Sequence, residues 1–168
     1  SLWDDDDVHM LNDMTERVHV HGSLAGVELW YGGYSNANHL TREIPLGPHS
    51  LPVWHGPLQT QMMDRADVRN LRKWHRDAAI RAEQAGFDIV YVYAGHGYIL
   101  SQFLSPVQNQ RTDEYGGSFE NRARLIREIL EETKDAVGDT CAVAFRFAVD
   151  NLDFDDGVHY EGEGRDLV

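Results

Sequence analysis

The chain has 168 residues, 42% of them hydrophobic and 26% charged, which is ordinary globular usage and long enough for one domain with a sizeable core. Its formal net charge of −13, with the 15 Lys and Arg residues dispersed, opposes phosphate backbones, so nucleic acid is excluded as a partner. No apolar run approaches the ~20 residues of a membrane span, so no membrane partner is expected.

The opening stretch, SLWDDDDVHM, is acidic where a secretory leader is basic and then apolar. The single cysteine, Cys141, lies in the apolar run CAVAFRF and reads as a small buried hydrophobe with no internal disulfide partner. Both features predict a cytoplasmic protein. Asp4 to Asp7 read as a solvated lead-in that favours a helix N-terminus. Val8, Leu11, Met14 and Val18 recur at helical intervals before the stop at Gly22.

Residues 24–30, LAGVELW, follow as a short strand bounded by glycines. From about Tyr31 to Met63 no period is sustained, which predicts a long irregular connection of the kind that is usually functional. A second helix runs from about Asp67, with Val68, Leu71, Ala78, Ala79, Ala82 and Ala85 on one face, and ends at Gly86. FDIVYVY is the next strand. A third helix opens at Ser118 after Gly116 and Gly117, turns Leu125, Ile126, Ile129 and Leu130 inward, and closes at Gly138; residues 141–147 are a third strand.

Strand, helix, strand, helix, strand predicts parallel pairing and an α/β fold, because each crossover is long enough to bring the chain back in the same direction. The strands look buried on both faces, as in an open doubly wound sheet or a closed eight-stranded barrel, and periodicity does not choose between them. A closed (β/α)₈ barrel needs typically ~250 residues, so residues 1–168 are expected to be an incomplete domain, truncated at both ends.

Alternation along strands places Gly26, Glu28 and Trp30 on one face, and Ala142, Ala144 and Arg146 on one face of the last strand. Glu28 and Arg146 fall near strand C-terminal ends, where such folds place their ligand sites. They could pair with each other; alternatively, a ligand with donor and acceptor groups could bridge them. Tyr93, His96 and Tyr98 in YVYAGHGYIL lie at the same kind of position, with groups able to position, accept and donate protons near neutral pH. Singly each is weak evidence. His19 and His21, and the loop residues His39, His49 and His55, lack zinc-site spacing, so no metal is assigned.

Residues 85–130, AGFDIVYVYAGHGYILSQFLSPVQNQRTDEYGGSFENRARLIREIL, closely resemble the old yellow enzyme family of FMN-dependent oxidoreductases, as do GVELWYGG (26–33) and AVAFRFAVD (142–150) in order and spacing. The resemblance implies a (β/α)₈ barrel of which this chain carries roughly strands three to five. It implies FMN, with Glu28 on the flavin pyrimidine edge and Arg146 beside flavin N1 and O2. Tyr93, His96 and Tyr98 resemble the pattern of the family's trimethylamine, dimethylamine and histamine dehydrogenase branch. By that resemblance, Tyr93 and His96 serve the oxidation of a small amine by transfer of a hydride equivalent to flavin N5, and Tyr98 lines the site. It also implies a 4Fe-4S cluster outside this chain, an electron-transfer partner and a homo-oligomer. The alternatives are an ene-reductase of the same family, with Tyr98 as proton donor, or a catalytically silent barrel fragment.

Overall fold

A computed structural model describes residues 2–36, 42–53, 57–149 and 160–167. His39 and His55 lie outside these residues. Helix α1 (Asp6–His19), strand β1 (Gly26–Leu29), the short strands β2 (Leu46–Gly47) and β3 (Gln61–Met62), and helix α2 (Arg65–Gln84) come first. Strand β4 (Ile89–Ala94), helices α3 (Ile99–Leu104) and α4 (Phe119–Val137), and strand β5 (Ala142–Phe147) follow. The main sheet has the order β1-β4-β5, with β1 parallel to β4. Contacts gather the chain into two compact units: residues 1–29, 69–92 and 128–145 form the first, and residues 30–68, 93–127 and 146–168 the second.

In the first unit, α1 begins with Asp6 and Asp7 and ends with Arg17 and His19, charges that complement the helix dipole at each end. Gly22, at φ +70°, stops the run in the left-handed region that favours glycine. One face of the strands packs on the helices: Ala25, Leu29 and Val90 are buried with Phe87, Val137, Cys141 and the alanines 79, 82 and 85. The small alanine side chains bring α2 close to the sheet, and each large apolar side chain enclosed there contributes ~1.5–3 kcal/mol. Burial pushes the Cys141 thiol above its usual range, which keeps it an inert core residue.

Asp88 sets the register at the start of the sheet. Its backbone N–H donates to the Ala25 carbonyl (2.8 Å), its own carbonyl accepts from Ala142 (2.8 Å), and its carboxylate accepts the Ala25 N–H (2.7 Å) and bonds His19 Nε2 (2.8 Å). The Ala25 N–H first, and His19 second, hold that carboxyl below the ordinary range. From this origin Gly26 lies opposite Ile89, and Glu28 opposite Tyr91.

Strand β4 is buried along most of its length, Val90, Val92, Tyr93 and Ala94 all lying inside. Gly26, Glu28 and Ala142 are exposed. Leu29 and Val90, on the other side, pack against the helices.

In the second unit, the segment expected to be irregular contains a 3₁₀ turn at Gly33–Ser35 and the parallel pair β2–β3, Leu46 opposite Gln61 and Gly47 opposite Met62. Asp64 caps the start of α2, its Oδ1 accepting the N–H groups of Ala66 (2.6 Å) and Asp67 (2.8 Å), while Asp67 returns a bond to the Asp64 N–H (3.0 Å). Ser118 Oγ accepts the Asn121 N–H at 3.3 Å, the expected cap of α4. No helix among the described residues is long and apolar enough to cross a membrane.

Candidate active site

Strand β4 runs into the second unit at Tyr93 and then turns sharply. Tyr93 is 3% exposed, and its ring folds back over its own loop: a Cβ at Gly95 would lie 3.0 Å from the ring and 3.2 Å from the hydroxyl. A side chain there would require the Tyr93 ring to give by a few tenths of an ångström. The Tyr93 hydroxyl bonds His96 Nδ1. His96 is exposed and sits at φ +52°, a left-handed conformation rare outside glycine, followed by Gly97 at φ +70°. Such strain persists where surrounding contacts enforce it, which is characteristic of functional sites.

Tyr98 completes the cluster. Its ring centroid is 5.8 Å from that of Tyr93 and 6.4 Å from that of His96, and Tyr93 and His96 are 5.7 Å apart, all edge to face. Trp30 stacks on Tyr98 at 4.3 Å with 23° between the planes. The exposed Arg146 places its guanidinium carbon 5.1 Å from the Tyr93 ring centroid, a cation–π contact at the end of β5.

Four of the five residues singled out in the sequence are thus assembled: Tyr93, His96, Tyr98 and Arg146. Glu28 belongs to the first unit, where it is exposed opposite Tyr91 on β1. Trp30 was missed as a stacking partner, although it ends the same LAGVELW run. A buried support was missed as well. Arg111 forks onto Asp113 (3.0 and 2.6 Å) and donates to the Met63 carbonyl (2.6 Å), while Asn109 Nδ2 spans the carbonyls of Phe103 and Tyr115, both at 2.7 Å. The Arg111 guanidinium holds the Asp113 carboxyl well below the usual range. A Cβ at Gly116 would lie 2.2 Å from the Arg111 carbonyl oxygen, so the turn leading to α4 requires glycine.

The chemistry of this assembly is that of a proton-handling pair beside a fixed positive charge. A phenol bonded to an imidazole can hold or pass a proton, and a guanidinium at the strand end favours electron-rich, planar partners.

Residues 1–163 match the model of the NADH:flavin oxidoreductase / NADH oxidase family, and the chain belongs to that family. It is 41% identical to the dimethylamine dehydrogenase of Hyphomicrobium sp. (strain x) over 170 residues, 97% of this chain and 23% of that protein. The structure of histamine dehydrogenase from Rhizobium sp. 4-9 superposes with a TM-score of 0.92 at 44% identity, covering 99% of this chain and 24% of that one. An NADPH dehydrogenase from Geobacillus thermodenitrificans (strain NG80-2) is 34% identical over 137 residues, 80% of this chain and 38% of that protein.

The chain therefore spans about a quarter of the length of the amine dehydrogenases it matches. The fold is α/β, part of a (β/α)₈ barrel, roughly strands three to five with their helices. Family membership implies FMN. In the second unit the exposed Arg146 has the chemistry to suit that group, a forked, permanently charged donor able to meet carbonyl oxygens.

Proposed function

We propose that residues 1–168 form an incomplete barrel domain of an FMN-dependent amine dehydrogenase that oxidises a small amine at the carbon next to nitrogen. The observation that carries this reading is the hydrogen bond between the Tyr93 hydroxyl and His96 Nδ1, flanked by Tyr98 and by the Arg146 guanidinium. Identities above 40% to a dimethylamine and a histamine dehydrogenase support it.

Bound FMN supplies the two-electron acceptor for a hydride equivalent; the chain's residues prepare the amine. Only an unprotonated nitrogen can release electron density toward the breaking C–H bond. Tyr93 and His96 take up the nitrogen's proton and orient its lone pair, and Tyr98 with Trp30 forms an aromatic wall that keeps bulk water from the reacting carbon. Arg146 would supply positive charge that favours the reduced ring, and Glu28 would serve as a hydrogen-bond acceptor for the same group. The oxidised amine is an iminium, which water hydrolyses to an aldehyde and a shorter amine. In the complete, homo-oligomeric enzyme a 4Fe-4S cluster would supply the one-electron path from the flavin to a separate acceptor protein.

The NADPH dehydrogenase relative favours a second reading, an ene-reductase in which Tyr98 protonates an alkene. Anaerobic mixing separates the two. In the complete flavoprotein, small primary and secondary amines are expected to bleach the flavin. Bleaching by NADPH alone, with reoxidation by an enone, would replace the amine reading with the second.

A further inference from the structure

We infer that Gln102 is a positioning residue for this site, a buried latch that ties the loop carrying His96 and Tyr98 to the turn that follows Trp30. The inference rests on the reading of Tyr93, His96 and Tyr98 as the reacting cluster.

Gln102 is 0% exposed, a polar amide in the short helix α3, ILSQFL. Both ends of the amide are used. Nε2 donates to the Gly97 carbonyl (2.7 Å) and the Gly32 carbonyl (3.1 Å), and Oε1 accepts the Tyr34 N–H (3.3 Å). These partners fix the amide's orientation, because two carbonyls require the amino end and an N–H requires the oxygen. Gly33, at φ +58°, makes room: a Cβ there would lie 2.3 Å from both Oε1 and Nε2. The turn is therefore shaped around this side chain.

The latch acts on the strained part of the site. The Gly97 carbonyl belongs to the peptide plane that leads into Tyr98, and it also accepts Ser35 Oγ at 2.6 Å, which fills its two lone pairs. The Ile99 N–H adds a third tie, to the Tyr31 carbonyl at 3.0 Å. Trp30 precedes this turn, and Tyr98 follows Gly97. Holding the two backbones together thus holds their ring stack and keeps His96 at its positive φ beside the Tyr93 hydroxyl. Among the described residues the hydrogen bonds of the Gln102 amide go to backbone groups, so it acts on the site's rings through the backbone that carries them.

The test uses Q102M and Q102E in the complete flavoprotein, with S35A as a milder break at the same carbonyl. Near-ultraviolet circular dichroism, referenced to W30F, reads the Trp30–Tyr98 stack without any substrate. Rapid mixing with an amine reads the limiting rate of flavin reduction separately from the amine's apparent dissociation constant. Loss of most of the stack signal is expected well below the unfolding temperature. The limiting rate should fall on the order of ten- to a hundredfold, as for a small misplacement of reacting groups, with the dissociation constant changing less. S35A should move both readouts in the same direction by less. A folded Q102M that keeps the stack signal and the limiting rate overturns the latch, and where Q102M does not fold, the same two readouts on S35A decide it. Where the parent itself is not reduced by any amine, the amine reading fails while the dichroism alone decides the role of Gln102.

Discussion

Two histidines, one in each unit, show what separates a structural imidazole from one proposed to react. His75 lies between α2 and α4 in the first unit, with Nδ1 bonded to Thr133 Oγ1 at 3.2 Å and Nε2 sealed from solvent without a hydrogen-bond partner among the described residues. Burial pushes it down to about 4. Beside it Arg72 bridges the same helices, bonding Glu128 at 3.0 Å and Glu132 through Nε at 3.1 Å. His96 is the opposite case. It is exposed, it sits on a strained backbone, and its bonding partner is a buried phenol. The buried ring is neutral filler in a helix contact, and the exposed ring is held in place at a conformational cost. Depth alone would choose the wrong histidine.

The largest effect expected to sharpen this contrast is at the phenol. Y93F keeps the ring, its packing under Arg146 and nearly all of its volume, and removes only the hydroxyl that meets His96. The limiting rate of flavin reduction by amine in the complete enzyme should fall about 10²- to 10⁴-fold, the usual contribution of a positioned acid or base, with little change in thermal midpoint. An unchanged rate across pH would remove Tyr93 from the chemistry.

The next effect, one of stability, belongs to the other histidine. Its folded value of about 4 lies below the ordinary 6.5, so between these limits the unfolded chain binds the extra proton and the folded one does not. Its contribution is complete above pH 6.5 and is lost progressively as pH falls to about 4. At 1.36 kcal/mol per pH unit the loss reaches at most roughly 3 kcal/mol, and the partial exposure of the side chain reduces it. Denaturant unfolding at a series of pH values should show the slope in the parent and not in H75L, whose apolar side chain suits the same helix contact. Parallel curves for the two proteins would mean that His75 is not the buried neutral group described here.

The same contrast explains how much was legible beforehand. The alternating residues of β1, the stops at Gly22, Gly86 and Gly138 and the Ser118 cap follow from local rules, and all are present. Tyr93, His96 and Tyr98 stood out because three ring groups fall within six positions at a strand end, and Arg146 because alternation carried it there. The short strands β2 and β3, two residues each, and the six-residue α3 escaped because they are shorter than any period that could announce them. What covers the second face of β1 was not legible either. An apolar run shows that one face is covered and says nothing of what, if anything, lies over Gly26 and Glu28. Gln102 left only a faint trace, a lone amide in ILSQFL that amphipathic patterning places on the surface, because two of its three backbone partners, at Gly32 and Tyr34, lie about 70 positions earlier. Trp30 gave no signal beyond its place at the end of an apolar run.

The smallest effect is the most pointed, because here the two histidines should respond in opposite directions. At φ +52° a side chain costs on the order of 1–2 kcal/mol that glycine does not incur, while glycine's extra freedom in the unfolded chain returns ~0.5–1 kcal/mol. His96 is exposed, so H96G gives up little packing beyond the bond to Tyr93. Its stability should stay within about 1 kcal/mol of the parent, on the stabilising side, even as amine-driven flavin reduction collapses. H75G, by contrast, should be clearly destabilised, because it opens a void between α2 and α4 and places glycine inside a helix. Paired denaturant titrations at neutral pH measure both. Were H96G to lose as much stability as H75G, the left-handed residue would be a packing element like its counterpart, and the strain at His96 would no longer mark a site maintained for its chemistry.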